Sequence, residues 1–94
     1  MPVVVGLLTV DLFISDALTL KDRRRVVSSL LDRLANNHNV AVADMGPDRP
    51  NQATLAITTV ANDEAHVHRV LNAALQLVEG EPRAVCEAGT IEII

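Results

Sequence analysis

Between residues 3 and 14 the chain alternates with a period of two. Val4, Gly6, Leu8, Val10, Leu12 and Ile14 form an entirely apolar phase, and Val5, Leu7, Thr9, Asp11 and Phe13 form the other. Alternation of this kind belongs to a half-buried strand, with the apolar phase turned to the core. After a turn over residues 15–19 the period changes. Leu20, Val27, Leu30, Leu31 and Leu34 recur at helical spacing, and Thr19 followed three residues later by Asp22 forms a capping box with Asp in place of Glu. The pattern predicts a helix from Leu20 to about Asn37, stopped at Asn36-Asn37-His38.

Val40 to Ala43 reads as a short second strand, broken by the loop Gly46-Pro47-Asp48-Arg49-Pro50-Asn51. Gln52 to Val60, rich in β-branched residues, predicts a third strand, with Asn62 or Asp63 capping the next helix. That helix buries Val67, Val70, Leu71, Ala74, Leu75 and Val78 and closes at Gly80 and Pro82. Ala84 to Ile94 predicts a last strand, with a bulge or kink expected at Gly89.

The sum is an α+β chain of ferredoxin-like layout, βαββαβ. Right-handed crossovers set a four-stranded antiparallel sheet in the order 4-1-3-2 with both helices on one face. At 94 residues the expectation is a single domain over 1–94.

Composition narrows the picture. An apolar share of 49% with 21% charged residues is globular, and no apolar stretch approaches the roughly 20 residues of a membrane helix. MPVVVGLLTV lacks a basic leader and a cleavage site, so it reads as a strand and not as a secretory signal, and a cytoplasmic location is expected. The lone Cys86 has no disulfide partner and reads as a small buried hydrophobe. A net charge of −4 restricts any nucleic-acid contact to a local patch.

That patch is Lys21-Asp22-Arg23-Arg24-Arg25, which packs half of the eight basic residues into the opening of the first helix. Cations there oppose the positive end of the helix dipole, at about 0.3–1 kcal/mol each, so compensation is expected. Arg23 extends the apolar stripe, Arg24 sits at its edge, and Lys21 and Arg25 face solvent. The simpler reading lays the Arg23 stem on the core and pairs its head with Asp11 or Asp16. The functional reading makes Lys21, Arg23, Arg24 and Arg25 an anion site for phosphate or an RNA backbone.

The sheet face opposite the helices is the second unusual surface. Val5, Leu7, Thr9, Ala56 and Thr58 present an apolar and threonine patch there, which predicts a homodimer. With no Trp or Tyr and one Phe, Phe13, that face lacks the aromatic platform on which RNA-recognition sheets stack bases.

Other chemistry is poorly supplied. His66 and His68 lie about 200° apart on a helix and cannot share an ion, while Glu64 and His68 lack a third ligand, so no metal and no cofactor are expected. No catalytic motif is present in the chain. An enzyme would have to use Asp11 and Arg23 as a polar pair at the cleft between the first strand and first helix.

The strand GLLTVDLFI followed by LTLKDRRRVVSSLLDRL, together with VANDEAHVHRVL, resembles the YlxP-like family, a bacterial domain of unknown function with a ferredoxin-like fold. Thr19 stands for the family's usual Ser, Arg23 for a common Lys, and Asn51 where many relatives carry an aromatic residue. The resemblance implies interest in Leu20 and Asp22 beside the four cations, and in Asn62, Asp63 and His66 at the second helix. Family members often lie beside genes for transcription elongation, translation initiation and a ribosome-binding factor. The expectation is therefore a noncatalytic accessory factor that contacts RNA or a ribosomal component, with a self-associating module free of nucleic acid as the alternative.

Overall fold

The computed structural model describes residues 2–94; Met1 lies outside them. Six elements follow one another: β1 (Val4–Ile14), α1 (Leu20–Asn37), β2 (Ala41–Asp44), β3 (Gln52–Ala61), α2 (Glu64–Glu79) and β4 (Ala84–Ile93). The strands form one antiparallel sheet in the order β2-β3-β1-β4, a ferredoxin-like α+β fold. Each boundary lies within a residue or two of its expected place.

The apolar phase of β1 is the covered one. Leu8, Val10, Leu12 and Ile14 are at most 2% exposed and pack with Leu55 and Ile57 of β3 beneath Leu30 and Leu34 of α1 and Leu71 and Val78 of α2. The stripe of α1 is shifted slightly from the expected one. Val26 is buried, whereas Leu20 is 45% exposed because the first turn extends past the sheet's core. Gly6 sits where α2 comes closest: a Cβ there would lie 2.3 Å from Val67 Cγ1 and 2.8 Å from Leu71 Cδ1. Only a residue without a side chain admits the helix at that distance.

The capping box of α1 is complete. Thr19 Oγ1 accepts from the Asp22 amide at 3.1 Å, and Asp22 Oδ2 accepts from the Leu18 and Thr19 amides, each at 3.1 Å. At α2 Asp63 holds the N-cap position but makes no side-chain capping bond. The expected irregularity at Gly89 lies two residues earlier. Asp11 pairs with Ala88 and Leu12 with Cys86, so Glu87 is the extra residue of the bulge. Gly89 stays in register opposite Val10, and its missing Cβ makes room for Leu75, whose Cδ1 would lie 3.0 Å from a Cβ placed there. After β2 the chain turns at Gly46, whose φ of +88° favours glycine. The pairing with β3 then runs past β2 through Met45 N–H to Thr54 O (2.8 Å) and Thr54 N–H to Gly46 O (2.7 Å).

Candidate functional site

The opening turns of α1 stand over the ends of β2 and β3, and this placement divides the basic cluster. Arg23 points inward and is 6% exposed. Its guanidinium grips Asp44 with a two-pronged fork, Nη1 to Oδ2 at 2.7 Å and Nη2 to Oδ1 at 2.9 Å, while Nε donates to Gln52 O at 2.6 Å. Asp44 Oδ1 also accepts the Gly46 amide at 2.9 Å, so the pair anchors the turn that follows β2. The Arg23 fork, outweighing the opposite effect of burial, holds the Asp44 carboxyl below its ordinary range, and Asp44 in turn raises the guanidinium's pKa.

This corrects two expectations. The carboxylate opposite Arg23 is Asp44, at the end of β2, and neither Asp11 nor Asp16. Arg23 is therefore held by the protein's own acid and is withdrawn from the anion-binding set. Asp44 escaped sequence reasoning because it is 21 residues away and is brought near only when β2 pairs beside β3. Asp11 stands on the opposite, bare face of the sheet, where it accepts from Thr54 Oγ1 at 2.8 Å. The Asp11–Arg23 pair that a small enzyme would need is thus not formed.

Lys21, Arg24 and Arg25 remain on the surface. All three are exposed, and among the described residues none of their side chains makes a hydrogen bond or a close ion pair, although Arg25 attracts Asp22 at longer range. Arg24 borders a groove with Leu20, Ser28, Leu31, Asp44 and Asp48. Arg25 borders a separate hollow with Ile14, Asp16, Asp22, Val26 and Arg83. Asp22 carries the only acid within the run, and the Leu18 amide, then the Thr19 hydroxyl, lower its pKa. That carboxylate is committed to the cap, and the attraction of Arg25 is the weakest of the causes acting on it.

A second ionic cluster, also unforeseen, consumes two more cations. Glu81, 3% exposed, receives Arg83 Nε on Oε2 at 2.9 Å and Arg83 Nη2 on Oε1 at 2.8 Å, with Arg33 Nη2 on Oε1 as well. Arg83 Nη2 also donates to Ser29 Oγ at 3.2 Å, so the turn between α2 and β4 is tied to α1. The Arg83 side chain, outweighing the opposite effect of burial, brings the Glu81 carboxyl down to about 2. Nothing in the local sequence marks Glu81 as the buried centre of an ionic knot. Arg83 lies two residues on, but the second guanidinium, Arg33, comes from a helix 48 residues away.

The remaining candidates are less organised. His68 Nε2 lies 3.8 Å from Glu64 Oε1, and His66 is exposed on another side of α2. Among the described residues no group of three or more His, Cys, Asp or Glu side chains gathers to hold a metal ion. Cys86 is half-buried with its Sγ directed at Ala88 O, and burial raises its thiol pKa, which favours the inert protonated form. No described helix is long and apolar enough to cross a membrane.

On the bare face, Val5, Leu7 and Thr9 of β1 stand beside Ala56, Thr58 and Val60 of β3 in cross-strand register. Thr58 Oγ1 donates to Gly6 O at 2.6 Å. Val60 is 56% exposed and Val85 54%.

Known proteins agree with the architecture and add little about chemistry. No curated protein matches the chain. Among solved structures, the de novo designed protein Foldit4 superposes with a TM-score of 0.55 at 12% sequence identity, covering 98% of this chain and 96% of that one. At such identity the likeness is one of fold alone, and a fold held by a designed sequence carries no activity with it. The family model described as "Protein of unknown function (DUF503)" matches residues 5–89, from the second residue of β1 to the middle of β4, and the chain belongs to that family.

Proposed function

We propose that the protein is a noncatalytic cytoplasmic accessory factor of ribosome maturation or translation, and that it contacts RNA phosphates through Lys21, Arg24 and Arg25. One observation carries the reading. Once Asp44 has claimed Arg23, three exposed cations remain in the first turns of α1 with no hydrogen-bonded or closely ion-paired side-chain partner, at the helix end where positive charge is least favoured. A mobile guanidinium or ammonium group gains most there from an anion supplied from outside, and phosphate suits both groups. The flanking Asp48 and Asp16 keep the patch small, which fits contact with a few phosphates and not a long electrostatic track. The gene neighbourhood implied by the YlxP-like resemblance favours RNA over other polyanions.

The experiment is a salt titration of binding to single-stranded ribosomal RNA fragments. Three phosphate contacts give a log-log slope of about −2, from about −0.7 per contact. Replacing Arg24 and Arg25 by Glu should abolish binding while the melting transition stays in place. A flat salt response, or binding that survives the double replacement, rules the reading out.

A further inference from the structure

We propose that the hollow between the β1–α1 turn and the α2–β4 turn receives one unstacked guanine base of the single-stranded RNA whose phosphates Lys21, Arg24 and Arg25 contact. The base site rests on that phosphate reading and adds what phosphates alone do not supply, a choice of sequence. The hollow opens beside Arg25 and is walled by Ile14, Asp16, Ala17, Val26 and Arg83. Its volume of about 180 Å³ is below the range of about 300–1,000 Å³ of sites that enclose a whole small ligand. It therefore admits one flat group and leaves the rest of the molecule outside, as a base on a chain requires.

The apolar floor and Asp16 are of no use to a phosphate but suit a base. Ile14, Ala17 and Val26 are at most 8% exposed and offer carbon surface to a ring. Arg83 presents a guanidinium already fixed by Glu81, through Nε and Nη2, and by Ser29 Oγ. Stacking a base on that plane needs little further ordering of the side chain. Asp16 decides which base. It is exposed, and among the described residues its carboxylate makes no hydrogen bond or close ion pair. The other acid at the hollow, Asp22, has Oδ2 occupied by the Leu18 and Thr19 amides. A carboxylate offers two acceptor oxygens and no donor. Of the four bases, guanine sets two N–H donors side by side on its Watson–Crick edge, at N1 and N2. Adenine and cytosine pair one amino group with an acceptor nitrogen, and uracil flanks its one N–H with two carbonyls, so each of these meets Asp16 with a repelling acceptor.

The test uses the full chain and uridine-rich single-stranded oligonucleotides of one length that carry a single central guanosine, inosine or adenosine, or none of these. Affinity is read at several salt concentrations. The guanosine oligonucleotide should bind at least about tenfold tighter than the adenosine one, with inosine, which lacks the N2 amino group, in between. Asp16→Ala should bring guanosine to the affinity of the others, while the melting transition and the salt slope set by Lys21, Arg24 and Arg25 stay in place. Equal affinity for all four oligonucleotides at a preserved salt slope overturns the base site and leaves the phosphate contacts standing. So does a guanosine preference that survives Asp16→Ala. Absence of binding to every oligonucleotide overturns both.

Discussion

The two faces of the sheet are built from the same strands yet differ in every physical respect. On the covered side Leu8, Val10, Leu55 and Ile57 have no exposure and meet two helices. On the bare side their immediate neighbours Val5, Leu7, Thr9 and Ala56 are half-buried by cross-strand packing alone. The covered face spends its residues on stability. The bare face is packed only by its own cross-strand neighbours and contributes less to folding. The same division runs through the cations: Arg23, Arg33 and Arg83 are tied into the frame by hydrogen-bonded ion pairs, and Lys21, Arg24 and Arg25 stand exposed without one.

Substitutions across the two faces give the sharpest contrast. Leu55→Ala should cost about 2–5 kcal/mol in denaturant unfolding, because the cavity lies beneath both helices. Val60→Ala, on the same strand, should stay within about 0.5 kcal/mol. A Val60→Ala cost comparable to that of Leu55→Ala would erase the distinction between the faces.

Acid should act on the framework cations and spare the free ones. Glu81 titrates near 2 in the folded chain against an ordinary 4.5, so its contribution is complete above 4.5 and is lost as pH falls toward 2. That contribution is at most about 3 kcal/mol and less after screening at the half-exposed guanidinium groups. Thermal melts between neutral pH and pH 2 should show the loss, and Glu81→Gln should be less stable at neutral pH with a shallower acid slope. An unchanged slope would mean that another carboxylate governs the transition.

Close approach of α2 can be broken at one atom. Gly6→Ala places a methyl group against Val67 and Leu71 and should cost about 1–3 kcal/mol, whereas Thr9→Ala three residues on, facing outward, should be nearly silent. Within the basic run the prediction is similarly divided. Arg23→Met should cost about 1–3 kcal/mol by leaving Asp44 and Gln52 O without their donor, and pairing it with Asp44→Leu should recover part of the loss. Arg24→Ala and Arg25→Ala should leave the melting temperature unchanged and alter only ligand binding. A melting shift as large as that of Arg23→Met would place them in the frame as well.

Local pattern made most of the architecture legible. Alternation along residues 4–14 named the covered residues of β1, helical spacing named the faces of α1 and α2, and Thr19 with Asp22 located the first cap. These features are short-range consequences of side-chain periodicity and backbone hydrogen bonding, so a single stretch of chain contains the information. The bulge was misplaced by two residues because Gly89 signals both an irregular strand and a close neighbour, and only the packing of Leu75 distinguishes them.

The chain's own residues determined that a basic helix opening and an apolar sheet face exist, along with their residue numbers. Which cations remain free was decided by tertiary structure alone. Ion pairs join groups 21 and 48 residues apart, and their partners are chosen by how elements pack. Periodicity along the chain contains no information about which distant carboxylate arrives beneath a given guanidinium, because that contact forms only when the sheet has closed and the helices have settled upon it.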